Sequence, residues 1–337
     1  MKRTLRYAAK RVLLILPQVF ILVTVVFALV HLLPGDPVFA RMGGAAPLEL
    51  IENYRHQLGL DQPIYIQYFN YLKGILHGDL GTSWLTGDPV VRDLTSRLPA
   101  TLELLLWGMG LATLVGIGVG VITALRPGGL IDRVTVAYAL LAGAMPEFYI
   151  GLVLVFFFYY ILRIAPSPSG RLDLMVAPPP TVTGLYLVDS AVAGQWGTFL
   201  NAAAHLALPV ATLAFWQSGA IMKMTRSTML QVLDGDYMDY ARVMGLKRSV
   251  VARYALRNSL PPIVSLTVTI FAILLGSVVL IERVFAWGGL GQYSVQAVVG
   301  ADYEAVVGFL MLAAVVSLLL FMFLDIIYVV LDPRLEL

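Results

Sequence analysis

Between Asp236 and Pro262 the chain places a charged, amphipathic island between long apolar runs. The island opens Asp236-Tyr237-Met238-Asp239-Tyr240-Ala241-Arg242-Val243-Met244-Gly245 and closes Ala255-Leu256-Arg257-Asn258-Ser259-Leu260-Pro261-Pro262. These residue types suit recognition rather than bond making: carboxylates and guanidinium groups form ion pairs, and tyrosine with methionine forms a contact face. Glu147 is the second candidate, because it directly follows Pro146 inside an apolar run, where an ionisable side chain must face a cavity or a partner. It could attract an ammonium group on a ligand, or it could hydrogen-bond to a kinked helix or to a partner chain. Catalytic constellations are absent. The chain has no cysteine, no H-E-x-x-H or G-x-S-x-G motif and no phosphate loop of the form G-x-x-x-x-G-K-[ST]. His31 and His205 stand alone near run ends, and no histidine pair has metal-ligand spacing. Asp325 lies near the inner end of the last run, where pairing with Arg334 or with a loop arginine is the simpler account. Gly116-Ile117-Gly118-Val119-Gly120 lies inside a run and reads as close helix packing rather than a dinucleotide turn.

The island's spacing predicts how it is held. Asp236 is placed as an N-cap, Tyr237, Tyr240, Ala241 and Met244 recur on one helical face, and Gly245 ends the helix. A second short helix over about 248–258 carries Arg253 and Arg257. Pro261 and Pro262 then fall in the first turn of the next span, where proline is tolerated. A basic amphipathic loop can also lie on lipid. The tyrosines, the methionine and the glycine break favour a compact projecting knob over a broad leucine stripe.

Charged residues make up 13% of the chain and apolar residues 59%, against roughly 25% charged in ordinary soluble domains. That composition cannot cover a soluble particle, and the chain reads as an all-α integral membrane protein. Spans are expected at about 12–32, 101–125, 134–162, 203–223, 260–281 and 305–330, each near the roughly 20 residues needed to cross a bilayer. The first run is too long for the apolar core of a signal peptide and ends in Pro34-Gly35-Asp36-Pro37, so it reads as a retained helix. With both termini inside, 15 of the 23 Lys and Arg residues fall on inner segments, although the outer segments are longer. The outer loop 33–99 should fold into a small cap with a helix near Leu48–Leu58. The outer loop 163–202 reads as irregular chain, and 224–259 as the inner docking loop.

The same residues carry a resemblance that covers most of the chain. Leu33-Pro34-Gly35-Asp36-Pro37, Leu58-Gly59-Leu60-Asp61 with Pro63, Gly78-Asp79-Leu80-Gly81, Thr101-Leu102-Glu103-Leu104 and Met145-Pro146 follow in order. Met224-Thr225-Arg226-Ser227, Asp236-Tyr237, Ala241-Arg242, Gly245-Leu246, Ala255-Leu256-Arg257-Asn258, Gly289-Leu290-Gly291 and Asp332-Pro333-Arg334 continue the series. In this the chain resembles the B-type permease subunits of bacterial dipeptide and oligopeptide ABC importers. Asp239-Tyr240-Ala241 stands where the wider importer pattern has Glu-Ala-Ala. The resemblance implies a six-helix permease of the type I importer kind in the bacterial cytoplasmic membrane, forming half of a path for dipeptides or short oligopeptides. It implies a second, C-type permease, two ABC ATPase subunits that bind ATP and Mg, a periplasmic or lipid-anchored substrate-binding protein, and no nucleic acid. It implies that Asp236, Tyr237, Asp239, Tyr240, Ala241, Arg242, Gly245 and Arg257 couple to the ATPase. Glu147 would then be the candidate translocation-path residue, and this chain would hold no cofactor and carry out no hydrolysis. Nickel complexes, glutathione and opines are alternative cargoes, and a stand-alone secondary transporter is the alternative class. The latter would carry matching internal repeats, which the chain lacks.

Overall fold

In lipid each backbone N–H and C=O has to find its partner within the protein, so apolar runs of this length close on themselves as helices. The computed structural model describes residues 17–28, 47–57 and 59–331, and no strand occurs among them. The helices are α1 (Pro17–Ala28), α2 (Leu48–Gln57), α3 (Ile64–Leu76), α4 (Val90–Leu125), α5 (Leu130–Ala144) and α6 (Glu147–Leu154). The last of these continues as a π-helical stretch, Val155–Ile161. There follow α7 (Tyr186–Val192), α8 (Trp196–Leu233), α9 (Asp236–Val243), α10 (Arg248–Ser277), α11 (Val279–Val284), α12 (Leu290–Val299) and α13 (Tyr303–Leu331).

Among the described residues α4, α8, α10 and α13 are long and apolar enough to cross a membrane, and the α5–α6 pair makes a fifth if it counts as one span. The described part of the first run, α1, is shorter than a span; it packs Val23 and Val26 against Val307 and Met311 of α13. His31 and Arg334 lie outside the described residues, and with Arg334 the expected pairing of Asp325.

The centre of the molecule is the pairing of α4 with α8. Gly108, Gly116 and Gly120 lie on one line of α4, against Leu213, Ile221 and Thr225 of α8. A Cβ at Gly116 or Gly120 would stand 2.6 Å from the Cβ of Ile221 or Thr225, so only glycine permits this approach. Around the seam Leu104, Leu105, Met109, Leu213, Ile221, Ile263 and Leu274 form the largest buried cluster.

Two elements differ from the sequence expectation. The run 134–162 is not one straight helix: α5 and α6 meet at 104° across Met145 and Pro146. The proline's ring excludes the preceding residue from helical geometry, and Met145 accordingly sits at φ −101°, ψ 140°. At Pro261 and Pro262 the expected short helix and new span are instead one unbroken α10. Proline removes a donor and crowds the carbonyl four residues earlier, yet membrane helices run through it where the freed backbone groups are satisfied again.

The end of the bundle expected outside is fastened by buried polar contacts. Arg171 reaches Glu103 at 2.5 Å and Gly184 O at 2.9 Å, and its guanidinium lies 3.5 Å from the centre of the Tyr186 ring. Glu103 also accepts from Leu187 N at 2.8 Å. The expected irregular loop thus contains α7, whose Asp189 accepts from the backbone N–H groups of Val182, Thr183 and Gly184 and from the Thr183 hydroxyl. Burial alone would raise the Asp189 carboxyl; these donors outweigh it and hold the group below the usual carboxylate range. His205, alone near the end of its run in the sequence, is buried, with Nε2 3.4 Å from Asp173 of the segment between α6 and α7. Ser83 donates to Asp302 at 2.5 Å, which pins the segment after α3 to the start of α13.

Candidate functional site

The island folds as a short helix held between two long ones. Gly235, not Asp236, is the N-cap residue of α9, and Asp236 and Asp239 occupy its first turn. There a negative charge complements the positive end of the helix dipole without a cap hydrogen bond. At the other end Gly245 takes φ +73°. Its N–H donates to Arg242 O at 3.0 Å, and Leu246 N–H donates to Ala241 O at 3.2 Å. This is a Schellman closure, which requires a residue in the left-handed region at that position.

Met238 seats the helix. It is 2% exposed and packs with Met229 and Leu233 of α8, Val251 and Ala255 of α10, and Ala124 at the end of α4. The opposite face is apolar and uncovered: Tyr237 is 54% exposed, Tyr240 66% and Met244 64%. Asp236 and Asp239 are exposed beside it, and Ala241 is half-buried. Arg242 works inward as well as outward. It pairs with Asp239 at 2.6 Å and donates to Leu233 O at 2.9 Å, which ties α9 to the end of α8. Arg257 is exposed, but on α10 rather than on the knob.

Glu147 is placed apart from the knob, as the first residue of α6 at the bend. It is half-buried, and its Oε2 is buried with no hydrogen-bond partner among the described residues. Beside it Trp216 Nε1 donates to Met145 O at 2.9 Å. No cluster of His, Asp or Glu among the described residues could hold a metal ion.

Sequence reasoning missed a charged pair that joins α5 to α8 within the bundle. Asp132 Oδ1 lies 2.5 Å from Arg226 Nε, and Asp132 Oδ2 lies 2.9 Å from Arg226 Nη2. The only signal was weak: a lone acid among the arginines of an otherwise basic turn, Arg126 to Arg133.

Comparison with known proteins agrees over nearly the whole chain. A family model described as "Binding-protein-dependent transport system inner membrane component" matches residues 116–337, and its N-terminal counterpart matches residues 4–105. The chain is 40% identical over 311 residues to the "Probable D,D-dipeptide transport system permease protein DdpB" of Escherichia coli (strain K12), covering 92% of this chain and 91% of that protein. It is 37% identical over 337 residues to the "Dipeptide transport system permease protein DppB" of the same strain, covering 98% and 99%. It is 38% identical over 334 residues to the "Di/tripeptide transport system permease protein DppB" of Pseudomonas aeruginosa (strain UCBPP-PA14), again covering 98% and 99%.

Proposed function

The chain belongs to the family of inner-membrane components of binding-protein-dependent transport systems, and from that membership we propose that it is a dipeptide permease subunit of an ATP-driven importer. The substrate class rests on relatives that are dipeptide and di/tripeptide permeases at 37–40% identity over nearly full length. The chain itself is a transporter component and not an enzyme.

In this reading the molecule has six spans, counting the first run, with both termini inside. It forms half of the path, and a second homologous permease supplies the rest. Two ATPase subunits bind ATP and Mg, and a substrate-binding protein delivers the peptide to the outer face. The knob α9 docks on an ATPase through Tyr237, Tyr240 and Met244, with Asp236 and Asp239 facing basic groups of the partner. Ala241 and Arg242 seat the knob, Gly245 closes it, and Arg257 adds a charge at the edge. The observation that carries this reading is the uncovered Tyr–Tyr–Met face on a helix whose other side is fixed by the buried Met238. Aromatic and methionine side chains presented this way are typical interface anchors.

Tyr237→Ala with Tyr240→Ala tests it, since both side chains are exposed and their loss leaves the seat intact. Loss of two anchors at about 2 kcal/mol each, about 4 kcal/mol together, should weaken ATPase binding several-hundredfold, to about a thousandfold. Titration of the ATPase onto the detergent-solubilised chain reads this directly. Unchanged binding would remove the knob from the interface.

A further inference from the structure

The contacts of the knob continue inward along α8 to the bend in the third apolar run. Arg242 fastens α9 to Leu233 O in the last turn of α8. About two turns earlier on α8, Arg226 holds Asp132 through two hydrogen bonds. Asp132 is 4% exposed and sits in the first turn of α5. Its Oδ2 also accepts from Gly128 N at 2.8 Å, in the turn between α4 and α5. Farther along, the Tyr138 hydroxyl donates to Phe215 O at 2.6 Å and lies 2.8 Å from Ser218 Oγ. Gly219 lets α8 pass close to Ala139, and Trp216 reaches Met145 O at the bend. Thus α5 is latched to α8 from its first turn to Met145, just past its last residue, and α6 begins with Glu147 where the latch ends.

A bidentate arginine–carboxylate pair resists both sliding and rotation, whereas apolar contacts between helices permit a small slide. The pair is also mostly withdrawn from water, so separating it would strand a buried charge. We propose that Asp132 and Arg226 are positioning residues of the transport cycle, making α5, α8 and α9 one lever that carries displacement of the knob to the Met145–Pro146 bend. The proposal rests on the reading of α9 as an ATPase-docking knob. With the pair lost, α8 and α9 still respond to the ATPase, but α5 lags and the segment at Glu147 stays behind.

The absence of cysteine from the chain allows a clean test. A Cβ at Gly219 would lie 3.6 Å from the Cβ of Ala139, inside the range of about 3.5–4.5 Å that a disulfide spans. It would also lie 3.2 Å from the Ala139 Cα, so the helices must give slightly and the reduced double-cysteine chain is the reference for the oxidised one. Ala139→Cys with Gly219→Cys therefore tethers α5 to α8 on oxidation. The assembled importer in proteoliposomes is assayed for peptide uptake per ATP hydrolysed. The tethered complex is expected to transport like wild type. Asp132→Asn or Arg226→Gln should reduce uptake per ATP about tenfold, as expected for loss of a coupling contact, while the ATPase still co-purifies. Oxidising the tether in the Asp132→Asn background should restore the ratio, and reductant should reverse that rescue.

The lever is overturned if the tether abolishes uptake until reduced, for then α5 must slide on α8. It is equally overturned if the neutralised variants keep the wild-type ratio. The tether in the otherwise unaltered chain discriminates between a rigid and a sliding α5 even where a neutralised variant fails to fold. Failure of the ATPase to bind the unaltered chain would instead overturn the docking reading.

Discussion

Gly245 makes a single-residue demand that can be measured. A Cβ there would meet nothing within 4 Å, so any penalty comes from the φ of +73° alone. Gly245→Ala should cost about 1–2 kcal/mol of knob closure, and Gly245→Asn less, because asparagine tolerates the left-handed region. ATPase affinity should therefore fall in the order Gly, Asn, Ala; equal affinities would mean the closure is not needed for docking. Asp189 makes a pH-dependent demand on the outer loop. Its folded carboxyl lies below its unfolded value, so its contribution is complete above the unfolded value of about 4 and is lost as pH falls through the folded value. Hydrogen exchange at Val182, Thr183 and Gly184 should stay protected at pH 5 and speed up, beyond the intrinsic change, only in stronger acid. Asp189→Asn should expose the same amides at neutral pH. Residues of the first kind are legible in a sequence because they act locally: Gly245 and the tyrosines announce themselves by spacing. Asp132 and Arg226, 94 residues apart, become a pair only when α5 folds back on α8.

Among the elements, the glycine line of α4 decides how closely two long helices approach. Gly120→Val would drive its side chain into Thr225 and the Met222 carbonyl. Overpacking of this kind destabilises by roughly 1–3 kcal/mol, and it should lower the melting temperature of the purified chain in detergent. Gly118→Ala, with nothing within 4 Å on the neighbouring face of the helix, should leave it unchanged. Equal effects would mean that the seam is not the close contact described. The glycine repeat was readable as packing before any fold was known, yet its partner helix was not. The proline signals divided in the same way. Pro146 marks a break between two helices, whereas α10 runs unbroken through Pro261 and the exposed Pro262, although both sites carry the same local signal. Contacts with distant chain are what a sequence leaves out. The short helices α11 and α12 escaped notice for a related reason: their anchors, Trp287 donating to Ala100 O at 2.8 Å and Thr101 donating to Glu282 at 2.5 Å, come from distant chain.

For the molecule as a whole, composition and run length made the membrane class plain, and the order of the motifs made the family plain. The fifth run's true start and the bend in the third depended on packing. The orientation proposed above rests on the lysine and arginine bias and can be checked with an impermeant thiol reagent, since the chain has no cysteine of its own. Val243→Cys, on the knob, should label only from the inner side. Met175→Cys, at a site 98% exposed in the outer loop, should label only from the outer side. Reversed labelling would invert the topology and place the knob out of reach of an ATPase. A chain that passes dipeptides inward by coupling its knob to ATP hydrolysis must show that coupling in the complete importer. ATP hydrolysis by the importer in lipid is therefore the decisive assay, with binding protein added empty or loaded with a dipeptide. Loaded binding protein should stimulate hydrolysis, and Tyr237→Ala with Tyr240→Ala should remove the stimulation. Hydrolysis indifferent to both would mean that the knob does not couple this chain to an ATPase.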